Sequence, residues 1–111
     1  MKLSIYENKE AVKTYEADTY DLMFGTLEDV AEAVKLDELK TGSDVELIRM
    51  VGNLVFTSMD TVKDLMKDIF DGLTDGELRN AKVSEIAAVL IDVVKFTVNQ
   101  LNINASNRRK K

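Results

Sequence analysis

Ser43-Asp44-Val45-Glu46-Leu47-Ile48-Arg49-Met50-Val51-Gly52-Asn53-Leu54-Val55-Phe56-Thr57-Ser58-Met59-Asp60-Thr61-Val62-Lys63-Asp64-Leu65-Met66-Lys67-Asp68-Ile69-Phe70 is the stretch that decides the fold. It opens on a helix-start signature, a Ser at the N-cap with a Glu three residues on. Neither proline nor a glycine pair interrupts the run from Leu47 to Phe70. The spacing predicts a helix reaching Phe70, on the order of 40 Å long, with Gly52-Asn53 as the place for a kink. Leu47, Ile48, Val51, Leu54, Val55, Met59, Val62, Leu65, Met66, Ile69 and Phe70 cover more than half of its circumference. A surface helix needs a stripe only about 100° wide, so this helix is expected to pack on two sides. Met50 falls in its polar arc and Phe56 at the edge of that arc.

Upstream the periodicity changes. Residues 2–6 alternate, with Leu3 and Ile5 on one side and Lys2 and Ser4 on the other. Residues 11–16 alternate again around Val12 and Tyr15, and Glu7-Asn8-Lys9-Glu10 is polar. This pattern predicts a β-hairpin, which is marginal alone and must lie on helices or pair with another strand. From Thr19 to about Lys35, and on to Leu39 at the furthest, the period is helical. Tyr20, Met23, Phe24, Leu27, Val30, Ala31 and Val34 share one face, and Gly25, Glu28, Asp29 and Glu32 the other.

Downstream, Gly72 suits a helix C-cap and Asp75-Gly76 a turn. Glu77–Ala81 reads as a short helical turn. Ser84-Glu85 opens a last helix, with Val83 and Ala88 placed to staple its entry. Ile86, Val89, Leu90, Val93, Val94, Phe96 and Leu101 leave it a narrow polar strip of Asp92, Lys95 and Asn99. Such a helix is central, or a partner covers it. The expected fold is mainly α with a small N-terminal β-hairpin (α+β), a compact domain of three to five helices over residues 1–103. Residues 104–111 are expected to form a flexible basic tail.

Composition narrows the function. The 111 residues contain neither histidine nor cysteine, which removes the commonest general base, the commonest transition-metal ligand, disulfides and thiol nucleophiles. Five glycines stand singly, with no phosphate-cradling loop. Glu28, Asp29 and Glu32, and the Asp60, Asp64, Asp68 and Asp71 face with Lys63 and Lys67, form no alternating calcium loop and read as solvated helix faces. No enzyme activity, cofactor or metal is therefore expected. The net charge is −5, but Arg108-Arg109-Lys110-Lys111 are all basic. Without those four residues, 11 basic stand against 20 acidic, a charge of −9. Such a body repels phosphate backbones, so nucleic acid is not an expected partner except through the tail. No run of 18 uncharged apolar residues spans a membrane, and the start lacks the apolar block of a secretory signal. A cytoplasmic protein is expected.

The surplus of apolar helix surface is the most informative feature. It implies self-association or a helical client, against a bundle in which both long helices are simply central. Methionine repacks easily around different partners. With the two residues at the polar arc, Met66 and Phe70 further along the same helix complete the candidate partner-binding set: Met50, Phe56, Met66 and Phe70.

The stretch Ile5-Tyr6-Glu7-Asn8-Lys9-Glu10-Ala11-Val12-Lys13-Thr14-Tyr15-Glu16-Ala17-Asp18-Thr19-Tyr20-Asp21-Leu22-Met23-Phe24-Gly25-Thr26-Leu27-Glu28-Asp29-Val30 resembles the tail assembly chaperones of long-tailed phages and prophages of Gram-positive bacteria. The order of elements, a hairpin, an acidic first helix and then long helices, is similar too. The resemblance extends over roughly residues 1–101 and rests on general sequence character. It implies a protein of phage morphogenesis in the bacterial host cell. That protein would coat the tape measure protein, help recruit tail-tube subunits and stay out of the finished virion. The family has short forms and longer forms made by frameshifting, and an ending in Arg-Arg-Lys-Lys would suit the short form. The alternative is a small phage or prophage regulatory protein that binds a host factor or nucleic acid through its basic tail.

Overall fold

Alternation at residues 2–6 and 10–16 does produce a hairpin. In the computed structural model, β1 (Lys2–Glu7) and β2 (Glu10–Glu16) pair antiparallel through the two-residue turn Asn8-Lys9. Both turn residues have positive φ, 53° and 70°, the conformation whose twist matches that of the strands. The structure describes the backbone of residues 1–109 and the side chains of residues 1–100 other than Asp37.

A bulge shapes the hairpin. Ile5 pairs with Lys13 while Tyr6 pairs with Ala11, leaving Val12 as the extra residue. Val12 is consequently exposed, whereas Tyr15, opposite Leu3, is half-buried. Leu3 and Ile5 enter the core. The outer edge of β1 is closed by the chain itself: Tyr6 N–H donates to Asn80 O at 2.9 Å, and Ser4 N–H to Glu85 Oε1 at 3.1 Å. That edge is therefore not free to recruit a strand from another subunit.

The first helix departs from the periodicity. A 3-10 turn at Thr19–Asp21, capped by the Asp18 carboxylate accepting from Tyr20 N–H, is followed by extended Leu22 and Met23. Only then does α1 (Phe24–Ala33) begin. The two extended residues reset the helical phase, so Thr26, Val30 and Val34 are buried while Tyr20, Met23 and Phe24 stand in solvent. Lys35 at φ 57° ends the unit before a second 3-10 turn, Leu36–Glu38.

The single long helix is two. α2 (Asp44–Thr57) ends at Ser58, whose φ of −141° and ψ of 60° serve at once as the C-cap of α2 and the N-cap of α3 (Met59–Ile69). Gly52 lies inside α2, and the break falls later, where Thr57 Oγ1 donates to Asn53 O at 2.7 Å. Consecutive Thr and Ser compete for the backbone groups a helix needs. Ser43 caps α2 as expected, its hydroxyl accepting from Glu46 N–H. The Glu46 carboxylate does not return to the Ser43 N–H. It reaches further back, accepting from the N–H groups of Lys40, Thr41 and Gly42 at 3.1, 2.9 and 2.8 Å.

Gly72, at φ 86°, follows the end of α3, and Leu73 returns to the core. Thr74 and Glu77 form a reciprocal capping box on α4 (Asp75–Leu78). The helix α5 (Val83–Arg109) is 27 residues long and starts before the expected Ser84 cap. It continues through residues 104–109, where a flexible tail was expected, because no proline or glycine stops it. Lys110 and Lys111 lie outside the described residues, as do the side chains of Arg108 and Arg109.

α5 is the centre of the molecule. Val89, Leu90, Val93, Val94 and Val98 are buried, and α1, α2 and β1 pack against this helix. Thr97 is buried among them, its hydroxyl donating to Val93 O at 2.8 Å. Among the described residues no buried side-chain polar atom lacks a partner, as a settled core requires.

Candidate partner-binding surface

Three of the carboxylates, Glu46, Glu77 and Glu85, do structural work. Glu85, at the start of α5, accepts from Ser4 N–H and, at 2.6 Å, from the Tyr6 hydroxyl. That hydroxyl is the main reason its carboxyl titrates below the usual range, and the same hydrogen bond pushes the Tyr6 phenol up. Glu77 plays the same part on α4, accepting from the Tyr15 hydroxyl at 2.6 Å and pairing with Lys13 at 3.2 Å. Two carboxylates thus lock the hairpin to α4 and α5. The backbone N–H groups of Thr41, Lys40 and Gly42 hold the Glu46 carboxyl down to about 2. A carboxylate so committed to local hydrogen bonds is a positioning device for a loop, not an acid or base for a substrate.

Four other acids gather loosely. Asp29 and Glu32 of α1 face Asp64 and Asp68 of α3 across a shallow surface groove. Among the described residues no group of three or more acids is placed to hold a metal ion.

The four candidate partner residues divide. Met66 and Phe70 are 0% and 1% exposed, so they hold the core together and offer nothing to a partner. They belong to the face of α3 that turns inward once the helix breaks at Ser58. Met50 is half-buried and packs against the core instead of lying in a polar arc. Phe56 is 84% exposed and stands as expected at the surface.

Around Phe56 the structure assembles more than the periodicity alone marks out. α2 has two apolar faces. Leu47, Val51 and Leu54 are buried against the rest of the domain. Val45, Ile48, Gly52, Val55 and Phe56 fall within a second stripe about 100° wide. Val45, Ile48 and Phe56 are exposed. A Cβ built on Gly52 would meet nothing within 4 Å, so the stripe has a shallow notch at its centre. Beyond Phe56 the chain turns at Ser58 and the stripe runs into a groove of about 420 Å³. Its apolar wall comes from Val55, Met59 and Val62 on one side and Leu78, Val83 and Ile86 on the other, with Lys63 and Arg79 at the rim.

A second exposed apolar group lies at the start of α1. Tyr20, Met23 and Phe24 are each more than 70% exposed. Tyr20 is held edge-on against Phe96 of α5, ring centroids 5.7 Å apart. The helical period placed these residues on a buried face, and only the break at Leu22-Met23 turns them out.

Among the described residues no helix is long and apolar enough to cross a membrane. Compared with family models, with curated proteins and with solved structures, the chain finds no match.

Proposed function

We propose that this chain is a non-enzymatic, protein-binding chaperone of phage tail assembly, acting in the cytoplasm of the bacterial host cell. Its client is the tape measure protein, which it coats as a homo-oligomer while helping to recruit tail-tube subunits. The observation that carries this proposal is the second apolar face of α2, Val45-Ile48-Phe56 with its notch at Gly52. A face with anchors spaced along one side of a helix suits an amphipathic client helix laid beside it, and an absent Cβ lets the client backbone approach closely.

Magnitudes favour coating over a single tight contact. Each exposed Val, Ile or Phe contributes roughly 1.5–3 kcal/mol when fully covered. Association costs on the order of 4–15 kcal/mol before any affinity appears. Three anchors therefore give weak binding per copy, which becomes effective when many copies engage one long client. The acidic exterior would keep the coated complex apart from others of its kind.

The test is co-production with the tape measure protein of the same phage or prophage. The client produced alone should aggregate, and with this chain it should stay in the soluble fraction. Ile48→Glu with Phe56→Glu should abolish that rescue while leaving the circular dichroism spectrum unchanged. A client that the native chain leaves insoluble would defeat the chaperone proposal. Full rescue by the double variant would remove the α2 face from it.

A further inference from the structure

We propose that copies of this chain join head to tail, the Tyr20-Met23-Phe24 knob of one copy seated in the groove between Val55, Met59, Val83 and Ile86 of the next. Self-association belongs to the function proposed above, and this contact gives it a geometry; the client plays no part in it.

Three observations support the match. The first is chemical complementarity. The groove is walled by apolar side chains and rimmed by Lys63 and Arg79, neither of which enters an ion pair among the described residues. The knob has the opposite rim: Asp18 and Asp21 flank three large apolar side chains, and neither acid is in an ion pair among the described residues. Opposite rims around apolar centres steer and register an encounter.

The second is preorganisation. The Asp18 cap fixes the 3-10 turn, and the Tyr20 ring rests on Phe96. Little ordering entropy is then lost when the knob is covered.

The third is separation within one molecule. The knob sits by Phe96, whereas the groove is built on Val83 and Ile86 of the same helix. At 1.5 Å per residue, ten to thirteen residues put them roughly 15–20 Å apart. A knob cannot fill the groove of its own chain, so a knob seated there comes from a second copy. Two different patches meeting make a heterologous contact, which repeats into a ring or an open chain of copies.

Complementary variants test this directly by solution mass over a range of concentrations. The native chain should grow in mass with concentration, and salt should weaken that growth by no more than the rim charges are worth, because the apolar centre is not screened. Met23→Glu with Phe24→Glu destroys the knob and keeps the groove. Met59→Glu with Val83→Glu destroys the groove and keeps the knob. All four positions are exposed, so both variants should stay folded and monomeric alone. Mixed in equal amounts, they should form a heterodimer and nothing larger, because one working knob and one working groove remain. The charge-swapped variants Asp21→Lys and Arg79→Glu should each weaken association by up to about fivefold, the worth of an exposed ion pair, and regain it when mixed. A native chain that stays monomeric, a mixture that stays monomeric, or either double variant associating as the native chain does would overturn the proposal. The expected heterodimer together with a native chain that leaves the client insoluble would leave this contact standing and remove the chaperone function.

Discussion

Two phenylalanines of the same helical stretch should respond oppositely to truncation. Phe70 is 1% exposed, lies in the core with Met66 and Leu73, and packs its ring against Tyr15 at 6.2 Å. Phe56 is 84% exposed. Truncating a buried Phe to Ala removes its transfer free energy and leaves a cavity, together about 3–5 kcal/mol. Part of that at position 70 is the tilted aromatic pair, worth about 0.5–1.5 kcal/mol. Against a total stability of roughly 5–15 kcal/mol for such a domain, Phe70→Ala removes about a fifth or more. Its melting temperature should fall by on the order of 20 °C. Phe56→Ala gives up almost no buried area and places a better helix former in α2, so its effect should stay within about 0.5 kcal/mol. Urea titration followed by circular dichroism measures both, with the slope confirming that the same transition is compared. A loss above about 2 kcal/mol for Phe56→Ala would show that Phe56 is packed in the isolated chain. The α2 face would then not be free for a client. An unchanged Phe70→Ala would refute the placement of the α3 inner face.

Further outcomes rest on the polar locks and one glycine. Glu85→Gln should bring the Tyr6 phenol back toward about 10, read by phenolate absorbance, and should speed hydrogen exchange at the Ser4 amide. In the native chain the Glu85 carboxyl is lowered, so its contribution is complete above the unfolded value and lost as pH falls through the folded one. Tyr6 is raised, so its contribution is complete below its unfolded value and lost as pH rises through the raised one. The Glu46 carboxyl, held at about 2, should hold the Lys40–Gly42 loop above the unfolded value of about 4.3 and release it as pH falls toward 2. Glu46→Gln should flatten the acid limb of amide exchange at Thr41 and Gly42. Gly72→Ala meets no atom within 4 Å but must adopt a φ of 86°, so it should cost roughly 1–2 kcal/mol in thermal melts, from the backbone alone.

The features legible along the chain were local ones. Alternation gave the hairpin, the Ser43 hydroxyl started a helix, Gly72 followed the end of another, and the apolar density of residues 86–98 marked α5 as either central or covered by a partner. Each depends on neighbours within a few residues, where periodicity and capping chemistry act. The surplus of apolar surface on α2 was also legible, and so was the place of Phe56 at the edge of the polar arc, where it is exposed. Tertiary structure decided the rest. A break at Ser58 was not visible because Thr57-Ser58 looks like any polar pair until the packing of α2 and α3 makes folding back favourable. That break sent Met66 and Phe70 inward. Leu22-Met23 looks helical by period, yet its extended backbone turned Tyr20, Met23 and Phe24 out. The Glu77 and Glu85 locks join positions more than 60 residues apart. No spacing rule in a single sequence reports such contacts, because they are set by which faces the chain brings together.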